Sequence, residues 1–180
     1  LNVTNGITET IFDRTQGTDT NNLRFSAARL IYQIADPSDR IGLITFSGDP
    51  YEILPVAEIG GLRSSLIEKI PAPNDPEGDG STGISKALNL SVDKLLQTTS
   101  NHPRYILFLT DGYPTRPGSS EYDPSQIDSV RKTVERAKSN GITIIPILLC
   151  GNTNMCKNEY ARGILEAMIT NKSQRVRAVG

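Results

Sequence analysis

The sequence predicts a doubly wound α/β fold, a mostly parallel sheet with helices on both faces. Three observations carry this. Short apolar runs alternate along the chain with segments of helical period. The runs at 40–46, 104–112 and 141–149 are rich in Ile and Leu on both faces, the pattern of strands covered from two sides. Cap and turn residues stand where the alternation needs breaks, as in Asp36-Pro37, Ser47-Gly48-Asp49-Pro50 and Asp111-Gly112.

The elements follow in chain order. ITETIF (7–12) is the first candidate strand, polar for the centre of a sheet, since Thr8 or Glu9 must then point somewhere wet. LRFSAARLIYQIA (23–35) reads as a helix, with Leu23, Ala27, Leu30, Ile31 and Ile34 at helical spacing and a stop at Asp36-Pro37. RIGLITF (40–46) is a buried strand that ends in a turn. GLRSSLIEKI (61–70) is a short helix closed by Pro71. TGISKALNLSVDKLLQ (82–97) places Ile84, Leu88, Val92 and Leu95 on one stripe. RYILFLTDG (104–112) is the densest strand. The segment 123–141 has Asp123 as N-cap, Pro124 at the first helical position and Gly141 at the end. GITIIPILL (141–149) carries Pro146 inside the run, which places that strand near an edge or bulges it there. NEYARGILEAMITN (158–171) turns Ile164, Leu165 and Met168 inward, and the strand-like RVRAVG follows. The order is β-α-β-α-α-β-α-β-α-β. Ligands of such sheets bind at the carboxyl ends of the strands.

The chain of 180 residues suits a single domain, and folding at this length buries roughly 70% of the unfolded surface without a metal or disulfide. Nineteen basic residues against 20 acidic ones argue against a nucleic-acid protein or a polybasic membrane anchor. With 37% hydrophobic and 22% charged residues the composition is globular. The longest apolar runs fall far short of the ~20 residues that span a bilayer. The chain begins at Leu1 rather than Met and reads as a piece of a longer or processed protein. Cys150 and Cys156 share one polar loop, either as two free thiols or as a small disulfide, and two thiols are too few for zinc.

Nucleotide cradles of the G-x-G-x-x-G and G-x-x-x-x-G-K-[ST] kinds are missing, as is a G-x-S-x-G elbow. The single histidine, His102, precedes a strand at its wrong end for catalysis, so the chain is not expected to be an enzyme. What remains is a set of oxygen donors at strand ends: Asp111 after ILFLT, Thr82 after the Gly-rich GDGST loop, and Asp13, Thr15, Thr18 and Asp19 after the first candidate strand. Hydroxyls and carboxylates without His or Cys suit a hard cation such as Mg²⁺ or Ca²⁺. Taken singly, Asp111 also reads as a turn residue before Gly112, and Thr82 as a helix cap. Asp75, Glu77 and Asp79 lack the frame of an EF-hand and read as a solvated acidic loop.

The stretch from GTDTNNLRFSAARLIYQIADPSDRIGLITFSGD through DGSTGISKAL to RYILFLTDGYPT resembles a von Willebrand factor type A (vWA) domain of the prokaryotic surface and secreted type, from about Asp13 to Val179. The resemblance implies one Rossmann-like domain over 1–180, with a mostly parallel six-stranded sheet and one short antiparallel edge strand. It also implies a metal ion-dependent adhesion site (MIDAS) on three loops. By motif, Thr82 takes the second-loop place and Asp111 the third, while Asp13 and Thr15 take the Asp and first Ser of Asp-x-Ser-x-Ser. Gly17 stands at the second Ser place and supplies no hydroxyl; Thr18, one residue on, substitutes only if the loop shifts.

The implied function is a non-enzymatic protein-binding or adhesion module that holds Mg²⁺ (or Ca²⁺ or Mn²⁺) and receives a carboxylate from a protein partner at the upper face. Two alternatives stay open: a structural domain with a degenerate, metal-free site in a surface assembly, and a subunit of a chelatase or AAA-type ATPase machine. The cysteine loop and the sequons at Asn2, Asn89 and Asn171 favour an extracellular or cell-surface setting.

Overall fold

The computed structural model describes residues 3–4, 7–8, 23–71, 81–99, 102–110, 112–116, 121–149, 158–169 and 177–179. Among them the strands are β1 (Val3–Thr4), β2 (Ile7–Thr8), β3 (Arg40–Phe46), β4 (Pro50–Glu58), β5 (Arg104–Thr110), β6 (Ile142–Leu149) and β7 (Arg177–Val179). The helices are α1 (Leu23–Ile34), α2 (Arg63–Glu68), α3 (Ile84–Leu96), α4 (Ser125–Ser139) and α5 (Glu159–Ala167), with a 3₁₀ turn at Gly60–Leu62 before α2.

β5, β6 and β7 form a parallel sheet in that order, and β3 and β4 an antiparallel pair. The β5–β6 register runs without a shift from Arg104↔Ile142 to Thr110↔Leu148. Pro146 therefore causes no bulge. It lies opposite Phe108, one residue before the β7 pairing begins at Ile147, where a missing N–H disturbs least. One face of this sheet is sealed: Ile84, Leu88 and Val92 of α3, Val130 and Val134 of α4, and Ile164, Leu165 and Met168 around α5 bury Ile106, Phe108, Ile142, Ile144 and Leu148. A second core packs α1 and α2 on β4 through Phe25, Tyr32, Leu54, Ile59, Leu66 and Ile70.

Four findings differ from the sequence reading. β4 was not foreseen from the residues, because Pro50, Glu52 and Pro55 break its apolar run; a Pro-bearing strand fits the outer edge of a pair. α1 is turned from its expected stripe. Phe25, Ala28 and Tyr32 go inward while Leu30 and Ile34 are exposed, since two aromatic rings bury more apolar surface than the two aliphatics they displace. The expected strand over 7–12 is described only at Ile7–Thr8, which pairs with Val3–Thr4 and with neither β3 nor β5. Glu9–Phe12 lies outside the described residues. The second face of β5 is also less covered than its composition suggests. Tyr105 and Leu107 are exposed there, and β3 and β5, each without a partner on its second edge among the described residues, line a cleft of about 1080 Å³ together with α1.

Helix ends follow capping chemistry. Asn158 caps α5, its Oδ1 accepting from the Tyr160 and Ala161 amides at 2.9 and 3.0 Å. Pro124, not Asp123, occupies the N-cap of α4. Asp123 Oδ1 still accepts the Ser125 amide at 3.1 Å and so satisfies one of the free donors at that end. Gly141 ends α4 with φ +69°, which glycine adopts without strain. α1 and α2 cap each other: Arg29 donates to the Ile70 and Pro71 carbonyls, and Arg63 to those of Gln33 and Ala35.

Two predictions follow from the cores. Leu88 is fully buried, so Leu88→Ala should lower unfolding stability by about 2–5 kcal/mol in urea titration. The Tyr32 hydroxyl is buried without a hydrogen-bond partner among the described residues, and burial pushes its pKa up to about 12. The unfolded chain releases that proton near 10.0 and the folded chain does not, so stability falls as pH rises from there to about 12. Tyr32→Phe should remove that part of the alkaline loss and leave stability at neutral pH unchanged or higher, as read by paired unfolding curves.

Candidate functional site

The described part of the site gathers where β5 ends. Thr110, 4% exposed, closes the strand, and its hydroxyl accepts the Gly112 amide at 3.3 Å. The segment Ser81–Gly83, which leads into α3, lies directly alongside. A Cβ at Gly112 would stand 3.9 Å from Thr82 Oγ1. The Thr82 hydroxyl is thus set beside Gly112. It also lines the cleft, at the end formed by Ser47, Ser81 and Thr110.

Thr82 is held through its main chain. Its amide donates to Thr115 Oγ1 at 2.7 Å, and its carbonyl accepts from the Thr115 amide at 3.2 Å. Gln126, 8% exposed at the start of α4, donates from Nε2 to the Thr82 and Thr115 carbonyls at 3.3 and 2.9 Å. Gln126 Oε1 accepts the Ser85 amide at 3.1 Å. With both main-chain groups engaged, only Thr82 Oγ1 is left without a hydrogen-bond partner among the described residues. Thr82 is not a helix cap: Gly83 holds the N-cap place of α3 and no side chain caps it. The cap reading of Thr82 is corrected accordingly.

The turn between β3 and β4 braces the same segment. The Gly83 amide donates to the Ser47 carbonyl at 2.5 Å, and Lys86 reaches Asp49 at the same distance. A Cβ at Gly83 would run into the Gly48 carbonyl, so only glycine permits this approach. Thr115 and Tyr122 form an antiparallel bridge, and the Asp123 amide donates to the Pro114 carbonyl at 2.9 Å. Tyr113, Tyr122 and Tyr160 cluster there, Tyr122 and Tyr160 stacked at 4.2 Å. Burial, then the neighbouring Tyr160 and Asp123, raise the Tyr122 pKa.

Of the expected ligands, Thr82 alone is described. Asp13, Thr15, Thr18 and Asp111 lie outside the described residues, as do Asp75, Glu77, Asp79, Cys150 and Cys156. His102 is exposed at the amino end of β5, the opposite end from Thr82. Among the described residues no three of His, Cys, Asp and Glu gather into a metal-holding group, and no helix is long and apolar enough to cross a membrane. Sequence reasoning missed Gln126 and Thr115. Neither has a local signal: Gln126 reads as one more polar residue in a helix start, and its burial arises only when α4 meets the Thr82 segment.

The von Willebrand factor type A domain family matches residues 13–179, and the chain belongs to that family, whose fold is Rossmann-like α/β. No curated protein matches. Among solved structures, the chain is similar to proximal thread matrix protein 1 from the mussel byssus "with zinc occupied MIDAS motif" (14% identity, TM-score 0.63, 89% of this chain and 39% of that one). It is similar to the SpRpn10 VWA domain (13%, 0.53, 90% and 75%). It is also similar to an aerotolerance-related membrane protein of Bacteroides fragilis (17%, 0.51, 81% and 77%). The chain spans only 39% of the byssus protein and 56% of the BatB chain of Bacteroides thetaiotaomicron.

The close approach at Gly83 yields a prediction. Gly83→Ala must push the Thr82 segment off the β3–β4 turn, so it should destabilise the fold by more than the ordinary ±0.5 kcal/mol of a surface change. Gly61→Ala, with open space around it, should stay within that range. Melting of the two variants side by side checks this.

Proposed function

We propose that the chain is a non-enzymatic protein-binding module that holds a divalent cation at the carboxyl end of β5 and uses it to receive a carboxylate from a partner protein. The observation that carries this reading is the Thr82 hydroxyl, unpartnered among the described residues and set beside Gly112 at the carboxyl end of β5. Its donor type fits a hard ion. A hydroxyl and a carboxylate suit Mg²⁺, with Ca²⁺ or Mn²⁺ as substitutes, and Asp13, Thr15 and Thr18 are the ligands proposed for the first loop. The byssus protein, with its zinc-occupied MIDAS motif, supports the expectation that a domain of this fold holds a metal.

A cation bound mainly by hydroxyls, with few carboxylates, keeps net positive charge and draws an anionic group to its open position. The tyrosine cluster of Tyr113, Tyr122 and Tyr160 begins one residue after Gly112. Loops on a rigid sheet are where recognition residues concentrate. An extracellular or cell-surface setting accords with the sequons and with the membrane protein of B. fragilis among the similar structures. The absence of a nucleophile–base pair from the sequence supports the non-enzymatic reading. A second reading, a metal-free structural domain in a surface assembly, is favoured by one specific residue: Gly17 stands where the family motif has a second hydroxyl.

The two readings part on thermal unfolding in EDTA and in millimolar Mg²⁺, Ca²⁺ or Mn²⁺. A cation at 100 times its dissociation constant adds about 2.7 kcal/mol to the folded state. We expect that rise in the wild type and its loss in Asp111→Ala, which removes a charge rather than a dipole. No rise with any cation sinks the metal-dependent reading and leaves the structural one.

A further inference from the structure

We propose that Gln126 is the positioning residue of this site: with Thr115 it fixes the Thr82 main chain so that the hydroxyl stays free for the cation. The inference rests on the metal-binding reading above. A primary amide is costly to bury unless its donors and acceptor are used. Gln126 uses both ends, toward Ser85 on one side and toward Thr82 and Thr115 on the other. It is not needed where it originates, because Asp123 already accepts the Ser125 amide at the start of α4. Its side chain instead reaches segments 41 and 44 residues earlier in the chain.

The chemistry suits the task. Thr82 has three polar groups. Thr115 takes its amide, and Thr115 and Gln126 together take its carbonyl, so neither main-chain group competes for Oγ1. A neutral amide does this without placing charge beside the ion. A glutamate there would still accept from Ser85, but it would lose both donors and set a carboxylate against two carbonyl oxygens. Gln126 also donates to the Thr115 carbonyl at 2.9 Å, within the loop that follows Asp111. The clamp therefore ties the Thr82 segment to Thr115 and holds it in one place, as near-octahedral coordination requires of a ligand. Outer-shell partners of this kind orient ligands and are worth about 10–100-fold in metal affinity.

Mn²⁺ affinity, read from free-ion electron paramagnetic resonance, tests this on wild type, Thr82→Val, Gln126→Met, Gln126→Glu and Thr115→Val, with melting in EDTA alongside. Gln126→Met keeps the volume and removes the amide. We expect both Gln126 variants and Thr115→Val to bind Mn²⁺ about 10–100-fold more weakly. Melting of Gln126→Met in EDTA should fall by far less than that loss would suggest if it were general unfolding. If Gln126→Met does not fold, Thr115→Val decides, since it releases the Thr82 amide from the other side. Wild-type Mn²⁺ affinity in the folded clamp variants, with affinity lost in Thr82→Val, overturns the role of Gln126 and spares the site. A wild type that takes up no Mn²⁺, or a Thr82→Val that binds as well as wild type, overturns the metal reading and this inference with it.

Discussion

The parallel ladder between β5 and β6 governs everything at the upper end of the molecule. Seven residues pair in unbroken register, from Arg104↔Ile142 to Thr110↔Leu148, and one face is sealed by α3, α4 and α5. Because the side-chain period of a strand is two, a slip of one residue would expose Ile106 and Phe108 and bury Tyr105 and Leu107. The register is thus held by hydrophobic burial. Where β5 stops is then settled, and with it the turn at Gly112 and the helix starts that gather around it. Phe46 of β3 meets Phe108 of β5 with ring centroids 5.1 Å apart, which ties the β3–β4 pair to the same end.

Around that fixed point the polar groups are arranged by elimination. Backbone amides and carbonyls near the surface of a sheet end must find partners, and here they find them in distant segments: the side chains of Thr115 and Gln126 and the main-chain carbonyl of Ser47. The small contact at Gly83 makes this possible by letting two loops touch backbone to backbone. One hydroxyl, Oγ1 of Thr82, remains over. The exposed pairs nearby, Lys86 with Asp49 and Arg116 with Glu121, add little energy by comparison, since water screens them.

Much of this was legible beforehand. The boundaries of α1, α3 and α5 and of β3, β5 and β6 came within a few residues from apolar period and end signals, because those signals are local. The stripes on α3 and α5 were correct for the same reason: Ile84, Leu88, Val92, Ile164, Leu165 and Met168 are all buried. The α1 stripe was not. Its helix offers apolar residues around more than one face, and which face goes inward depends on what α2 and β4 present to it. β4 escaped notice because its prolines and glutamate look like a loop until an antiparallel neighbour pairs with it.

From the sequence by itself came the fold class and the alternation of strands and helices, since each rests on neighbours along the chain. Tertiary structure alone decided the burial of Gln126, the grip of Thr115 on Thr82 and the requirement for glycine at position 83. Those depend on contacts between segments about 11 to 44 residues apart, such as Thr115 with Gln126 and Thr82 with Gln126. No local period or motif encodes such a contact, because its energy is realised only when hydrophobic burial has already brought the segments together.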